Sequence, residues 1–425
     1  MHYRERHGAY MKKIYLVTGS FPYGKGEKSF IEPELKYLVH HYDITIICHA
    51  TDDELLDEQN ISKLDERIKI CRINNKVVWL NKIIYGLKFF CDLDGWREFF
   101  DILKSREKIL SRLYQSIGFY VLAMIDHKEI CRQKIIDNED AIYYTYWYFF
   151  YCFSATKYKK KFPGLKFISR THGFELYSDR YIGGRQPFKM IMDKRLDKLI
   201  FASDYAKEYY FKHYGIPFDE GKYNVCKLGV EKIFKKKKKS ENRKHDFFVV
   251  SCSNLIDIKR IECIIEGLAL IKAIEITWMH IGSGDKLEKL KSLAKKVLPN
   301  NITWEFVGYM SNENIHRIYA EEKVDCFITT SQTEGGCPVA IQEAMAYGIP
   351  VIGTSVGGIT EMIHGNGILL SPNPDSEEVK NAIESIAYMS KEELNRMRER
   401  SRQIWMKEYN IEMNADKFIK VLEQL

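Results

Sequence analysis

Apolar residues near the start of the chain change spacing from one segment to the next. Lys13–Thr18 (KIYLVT) is a short β-rich run that stops at a turn-dense loop, Gly19-Ser20-Phe21-Pro22-Tyr23-Gly24-Lys25-Gly26. Over Glu27–Val39 the apolar positions Phe30, Ile31, Leu35 and Leu38 have helical spacing, and Asp43–Cys48 (DITIIC) returns to β-type residues. Strand, loop, helix, strand is the unit of a parallel sheet, where ligands gather outside the carboxyl ends of the strands. The Gly19–Gly26 loop therefore lies where a ligand would dock. Ala141–Tyr144, Lys166–Ser169 and Lys198–Ala202 read as further strands separated by helical stretches, so residues 11–230 are expected to form one doubly wound domain.

The pattern breaks at residues 231–245, where a run of lysines with few apolar residues predicts an exposed basic linker. A second alternation begins at Phe247–Cys252 (FFVVSC), continues through a helix near Ile261–Ile271, and places strands at Ile276–Ile281, Ile302–Val307, Cys326–Thr330 and Val351–Gly353. Residues 246–400 are thus expected to be a second α/β domain. Leu394–Leu425 is amphipathic, and residues 401–425 are predicted to be a helix that braces the domains. Two open parallel sheets in tandem would face each other across a cleft, a favoured place for a ligand.

Composition narrows the class. Of 425 residues, 45% are hydrophobic and 29% charged, which excludes disordered and fibrous classes. The net charge of +7 is a mild bias toward phosphate-bearing ligands or an anionic surface, and no interleaved basic and aromatic motif points to nucleic acid. The 10 cysteines contain no C-x-x-C pair, so a zinc ribbon or thioredoxin motif is not expected and a reducing cytoplasm is the simplest home. The opening MHYRERHGAYMKKIYLV lacks the apolar stretch of a secretory signal, and the aromatic run Tyr143–Phe153 is about half the ~20 residues a membrane span needs.

Thr329–Ile363 carries the densest chemistry. A strand ends in a glycine-containing loop, and Pro338 suits the first turn of a helix over Val339–Ala346. The backbone N–H groups around Gly335, Gly336, Cys337 and Val339 would point out of that helix with the positive end of its dipole, a geometry that accepts phosphate or sugar oxygens. Glu343, about one turn in, would repel phosphate but accept hydrogen bonds from hydroxyls. Phosphate donors beside a hydroxyl acceptor suggest a sugar nucleotide.

At these residues the chain resembles the family 4 glycosyltransferases, retaining enzymes of the GT-B fold, and the resemblance runs over nearly its whole length. Two glutamates eight positions apart mark that family, the first holding hydroxyls of the donor sugar and the second the ribose. Glu343 with Ala344-Met345-Ala346 and Gly348-Ile349-Pro350 matches the second. Glu334 lies nine positions before Glu343 and Gly335 lies eight before, so either Glu334 reaches the sugar from a loop longer by one residue or backbone at Gly335 serves instead. Phe21–Glu27 is similar to the family's glycine-rich loop, in which backbone at Gly24 and Gly26 would approach donor phosphates or acceptor. Ser169–Tyr177 resembles its strand-end histidine motif, with His172 facing the reacting sugar, and Lys227–Val230 the stretch that leads to the linker. Ser253–Arg260 resembles the phosphate loop. Asn254 stands where the family usually has Arg, so Lys259 is the expected phosphate ligand with Arg260 as a substitute. His280–Asp285 and Phe306–Met310, including Gly308 and Tyr309, resemble loops that flank the base.

The resemblance implies retaining transfer, without metal or cofactor, from a nucleoside-diphosphate sugar such as UDP-sugar to a hydroxyl of a glycan or lipid-linked acceptor in cell-surface polysaccharide synthesis. The leaving phosphate gains charge and must be stabilised; Lys259, Glu334 and His172 are the expected catalytic residues. A sugar-nucleotide epimerase or a binding protein without transferase activity are the competing readings. Val77–Phe100 mixes Trp, Phe and Ile with Lys and Arg, as a stretch lying in a membrane interface does, or as an ordinary packed helix does. Lys159–Lys161 and Lys235–Lys239 are solvated or touch anionic headgroups. A cytoplasmic protein with peripheral contact to an anionic membrane is the resulting expectation.

Overall fold

The computed structural model describes residues 11–56, 64–74, 77–159, 161–235 and 247–425. The chain divides into two units, the first running to Ala202 and adding Lys207–Cys226 and Ala415–Leu425, the second comprising Ser203–Ala206 and Lys227–Asn414. The division falls just before the basic run, of which residues 236–245 lie outside the described residues, as does Lys160.

The first unit holds seven strands: β1 (Lys13–Thr18), β2 (Asp43–Cys48), β3 (Lys69–Arg72), β4 (Ala141–Thr145), β5 (Lys166–Thr171), β6 (Lys198–Phe201) and β7 (Tyr223–Val225). They pair parallel in the order β3-β2-β1-β4-β5-β6-β7. The connecting helices are α1 (Lys25–Leu38), α2 (Asp52–Leu56), α3 (Trp79–Phe89), α4 (Leu93–Ser105), α5 (Ile109–Arg132), α6 (Phe150–Thr156), α7 (Lys189–Arg195) and α8 (Asp204–Tyr214). Every residue of β1 and β4 is buried, as befits strands covered on both faces. The strand order reverses between β1 and β4, which places the loops after them at the crevice of this sheet.

The second unit repeats the scheme with β8 (Phe247–Cys252), β9 (Ile276–Ile281), β10 (Ile302–Gly308), β11 (Cys326–Thr329), β12 (Val351–Thr354) and β13 (Gly367–Leu370), all parallel in the order β10-β9-β8-β11-β12-β13. Its helices are α9 (Ile261–Ala269), α10 (Leu287–Val297), α11 (Asn312–Glu321), α12 (Val339–Ala346), α13 (Ser376–Ala387) and α14 (Lys391–Ile404), and α15 (Ile411–Leu422) starts here and passes into the first unit at Ala415. Here the order reverses between β8 and β11, so the loops Ser253–Arg260 and Thr330–Pro338 share the crevice.

Two expectations change. Leu394–Leu425 is not one helix: α14, opened by a capping box at Ser390, runs into a π-helical turn over Trp405–Tyr409, and the chain is extended at Asn410 before α15. At the break the Val230 N–H donates to the Tyr409 carbonyl (2.9 Å) and Val230 bridges Asn410, so strand-like pairing replaces helix. Ala415–Leu425 belongs to the first unit, where Phe418 lies on the guanidinium of Arg170 (4.5 Å from the ring centroid). Arg170 is fully buried and ion-pairs with Glu34 (2.8 Å). Second, Val77–Phe100 is two helices, parted where Asp92 accepts the Asp94 N–H as the cap of α4.

Candidate active site

In the second unit β8 ends in a loop that closes with a tight turn, Asp257–Lys259, and Arg260 at φ +46° opens α9. The Gln332 N–H donates to the Ile258 carbonyl (2.7 Å) and Thr330 Oγ1 donates to the Arg260 carbonyl (2.8 Å), so this loop is stitched to the one after β11. The stitching brings Lys259 Nζ onto the carboxylate of Glu334, both side chains largely buried. Glu334 thus lies at the crevice against Lys259, at the start of the loop leading into α12.

Arg260 departs from expectation. Its Nε donates to the Thr330 carbonyl (2.8 Å), one terminal nitrogen to Asn373 Oδ1 (2.9 Å), and the other to the carbonyls of Ser331 (3.1 Å) and Pro372 (2.7 Å). Four hydrogen bonds commit the guanidinium to holding loops together, so it is not offered to phosphate. Asn254 is exposed and neutral, which leaves Lys259 as the cation this loop presents.

The loop before α12 is shaped by glycines elsewhere. Gly357 has φ +52°, and a Cβ there would collide with the Glu334 carbonyl; at Gly358 it would overlap the Gly336 carbonyl. Pro338 caps α12 rather than forming its first helical residue. Among the described residues no acceptor meets the N–H groups of Gly336, Val339 and Ala340, which is the donor set expected at a helix start. Cys337 contributes only backbone to this set: its buried thiol contacts the Gly358 carbonyl (3.7 Å) and Tyr409 Oη (3.5 Å), and burial pushes its pKa up to about 12. Gln342 Nε2 donates back to the Cys337 carbonyl (2.9 Å) and fixes the loop further.

Glu343 is 3% exposed. It accepts from Asn312 Nδ2 (2.9 Å), and His316 Nε2 lies 3.7 Å away; His316 Nδ1 in turn meets Tyr347 Oη (3.0 Å). Lys259 and Glu343 both act electrostatically on Cys252 at the end of β8, whose thiol burial pushes up to about 12. At the ends of β9 and β10 the Gly282 N–H donates to the Gly308 carbonyl (2.8 Å), Gly308 takes φ +74°, and Tyr309 is 55% exposed. Beneath them His280 bridges Ser251 Oγ (2.8 Å) and the Ser253 carbonyl (3.1 Å), and burial holds its pKa down to about 4, so it is a neutral strut.

In the first unit the glycine-rich loop differs from its expected use. Its N–H groups at Gly19, Ser20 and Phe21 donate to the buried carboxylate of Glu27 (2.9, 2.6 and 2.7 Å), and Trp147 Nε1 donates to the same group. The protein's own anion fills this nest, so the loop does not hold it open for a donor phosphate. Gly24 donates to the Ser20 carbonyl (3.0 Å) and a Cβ there would collide with Ser20 Oγ, which makes its glycine a packing requirement; nothing lies within 4 Å of a Cβ at Gly26.

His172 follows β5. Its ring packs on Trp147 (centroids 4.3 Å) and Tyr146 (4.9 Å). Both its backbone N–H (2.8 Å) and Nδ1 (3.2 Å) meet Glu175 Oε1. A carboxylate only accepts, so Nδ1 carries a proton. Nε2 and Glu175 Oε2 are buried with no partner among the described residues. The aromatic run Tyr143–Phe153 placed Tyr146 and Trp147 near the expected cleft, but sequence reasoning gave no role to Glu175 or Asn312; an acid three positions after a strand-end histidine is the signal that finds Glu175.

Lys189 stands behind this group, fully buried, donating to the Glu175 carbonyl (3.0 Å). Burial pushes its pKa from 10.5 down to about 7, opposed by the Glu175 charge. Between these values the unfolded chain binds the proton and the folded chain does not, so this group's contribution to stability rises with pH, is complete above 10.5 and falls away toward 7. The unfolding free energy of the wild type minus that of K189M, from urea titrations at pH 7.5 and 9.5, is expected to rise by roughly 1 kcal/mol per pH unit. A flat difference would mean that Lys189 stays charged in the folded protein.

The comparisons with known proteins fit this geometry. The model of the family described as glycosyl transferases group 1 matches residues 232–404. Over those residues the chain is similar to the glycosyl transferases of group 1. The N-acetylglucosaminyltransferase GtfA subunit of Streptococcus parasanguinis, which by name acts from UDP-N-acetylglucosamine on peptide, is 24% identical over 321 residues, 73% of this chain and 54% of that protein. The amylovoran biosynthesis glycosyltransferase AmsK of Erwinia amylovora is 31% identical over 167 residues, 37% of this chain and 40% of that one. The chain thus spans about half or less of the length of these curated relatives. Among solved structures, Anabaena HepE in complex with UDP-glucose superposes with a TM-score of 0.65 at 14% identity, covering 97% of this chain and 100% of that one. The sucrose-phosphate synthase of Thermosynechococcus elongatus gives 0.71 at 14% identity, covering 97% and 98%. The two Rossmann-like domains, each built on one parallel sheet, are those of the GT-B fold.

Proposed function

We propose that this group 1 glycosyltransferase moves a sugar from a nucleoside-diphosphate donor, a UDP-sugar in the first instance, to a hydroxyl of a glycan or lipid-linked acceptor in polysaccharide synthesis, with retention and without metal or cofactor. The observation that carries the reading is Lys259 set against Glu334 at the carboxyl ends of β8 and β11, beside the open N–H groups at the start of α12. In transfer the bond from the anomeric carbon to phosphate oxygen breaks and its electron pair stays with the diphosphate, so negative charge grows where Lys259 and the helix start can meet it. The acceptor oxygen bonds to the anomeric carbon on the same face, and its proton passes to the departing phosphate. Glu334 then exchanges Lys259 for sugar hydroxyls, Glu343 takes the ribose, Gly308 and Tyr309 border the base, and His172 serves the transferred sugar. The work is proposed to take place on the cytoplasmic side of an anionic membrane that the protein touches peripherally.

Glu343→Gln tests the donor assignment. Gln keeps an oxygen for Asn312 and so preserves the local packing, but loses the charge that strengthens bonds to ribose hydroxyls. UDP affinity measured by calorimetry is expected to fall roughly 10- to 100-fold, the worth of about 1.5–3 kcal/mol. Unchanged affinity would remove Glu343 from the donor site. A second reading, a sugar-nucleotide-binding protein without turnover, is favoured by the single cation left once Arg260 is committed; UDP-sugar binding with no product from any acceptor would select it.

A further inference from the structure

In the first unit α3, α4 and the start of α5 expose side chains of a kind that proteins ordinarily bury. Trp79 is 71% exposed, Leu87 66%, Leu93 74% and Leu110 82%. Along α3 the exposed residues Leu80, Ile83, Ile84 and Leu87 recur at helical spacing and form one stripe. At its end Phe90, Trp96 and Phe100 form an exposed aromatic cluster, with the Trp96 ring 6.4 Å from Phe90 and 5.7 Å from Phe100.

The charges on these helices are sorted by direction. Lys82, Lys88, Arg97, Lys104, Arg106 and Lys108 are all exposed. Three carboxylates turn inward instead, Asp92 to Lys157 (2.7 Å), Asp94 to Arg195 (2.7 Å) and to Arg97 (3.2 Å), and Glu98 to the Phe188 N–H (3.1 Å), while the half-exposed Asp101 pairs with Arg185. Over residues 77–110, Glu107 is the exposed acid among the described residues. The outward face is therefore apolar and aromatic with a cationic rim. Two copies of it would set lysine and arginine against lysine and arginine, which disfavours self-association. Among the described residues no helix is long and apolar enough to cross a membrane. Lys159, the described member of its lysine run with Lys161, is by contrast bonded to Asp197 (3.2 Å) and the Arg195 carbonyl (3.0 Å), and belongs to the fold rather than to this face.

We infer that this face docks on the surface of a bilayer containing anionic lipid, the tryptophans and leucines entering the boundary between headgroups and acyl chains while the cations meet the phosphates. The inference deepens the peripheral membrane contact of the proposed function by naming the face that makes it, and does not depend on the transferase activity. The test is co-sedimentation of the full chain with vesicles of phosphatidylcholine and phosphatidylglycerol at roughly 7:3, and with phosphatidylcholine alone. The wild type is expected to pellet with the anionic vesicles, less at high salt, and W79E/L87E to bind them at least ~10-fold more weakly with an unchanged melting temperature. K82E/K88E is expected to lose the preference for anionic lipid. The inference falls if the wild type stays in the supernatant, if both variants bind as it does, or if the wild type is a dimer that W79E/L87E dissolves. UDP binding by the same variants, measured alongside, is expected to equal that of the wild type, so failure of the donor reading leaves this test intact.

Discussion

Lys259→Met is expected to lower kcat roughly 100- to 1,000-fold, the usual cost of removing one group that stabilises charge appearing in the transition state. The size of the effect follows from what surrounds Lys259. Asn254 is neutral, and the guanidinium of Arg260 is spent on Thr330, Ser331, Pro372 and Asn373, so this loop holds no second cation to take over. The Lys259 charge is balanced by Glu334. Under the proposed function a diphosphate would compete with Glu334 for Lys259, and Glu334→Gln should relax that competition. The two variants are expected to part in steady-state kinetics: Lys259→Met loses kcat and UDP affinity together, whereas Glu334→Gln binds UDP at least as tightly as the wild type and still transfers sugar more slowly. Lys259→Met at wild-type kcat would take the phosphate role from Lys259. Glu334→Gln at wild-type kcat would move the sugar contact to backbone at Gly335. Arg260→Met should instead lower the melting temperature, because it leaves carbonyls on three residues without their donor.

The buried strands were legible because parallel strands covered on both faces are continuous apolar runs: β1, β2, β8 and β9 have the bounds that KIYLVT, DITIIC, FFVVSC and ITWMHI suggest. Of the four sheet edges, β10 was legible as Ile302–Val307 and the other three were not. β3 (KICR) has two exposed residues, β13 (GILL) is only partly buried, and β7 is three residues long, so none shows the pattern that marks a strand. At the site, local strings single out Lys259, Glu334, Glu343 and His172 as candidates, and the structure sets the first two against each other. What the sequence hid is where side chains find partners far along the chain. Arg260 bonds to residues 70 to 113 positions away and Trp147 reaches Glu27 across 120, and no local spacing encodes either contact. The glycine-rich loop misled for the same reason: its glycines announce a nest of N–H groups, but the anion that fills it is Glu27, seven to eight residues on from its first donors.

His172→Ala is expected to lower kcat by about 100-fold while leaving UDP affinity within about threefold of the wild type. The imidazole has an unfilled valence among the described residues. With Nδ1–H directed at Glu175, Nε2 is left as the acceptor, and among the described residues that atom is buried without a partner. A buried acceptor left unpaired costs about 1–3 kcal/mol, and a hydroxyl of the transferred sugar would relieve it. The nucleotide makes its contacts in the second unit under this reading, so removing the imidazole should spare nucleotide binding and reach only the sugar step. Glu175 acts through His172 as a positioning residue: Glu175→Gln keeps an acceptor but weakens the hold on Nδ1–H. The double variant separates this from a merely structural role. If Glu175 works by orienting the ring, Glu175→Gln lowers kcat several-fold in the wild type and adds nothing once His172 is Ala; effects that multiply would show that the two act independently. Wild-type kcat in His172→Ala would leave the histidine a packing residue between Trp147 and Tyr146.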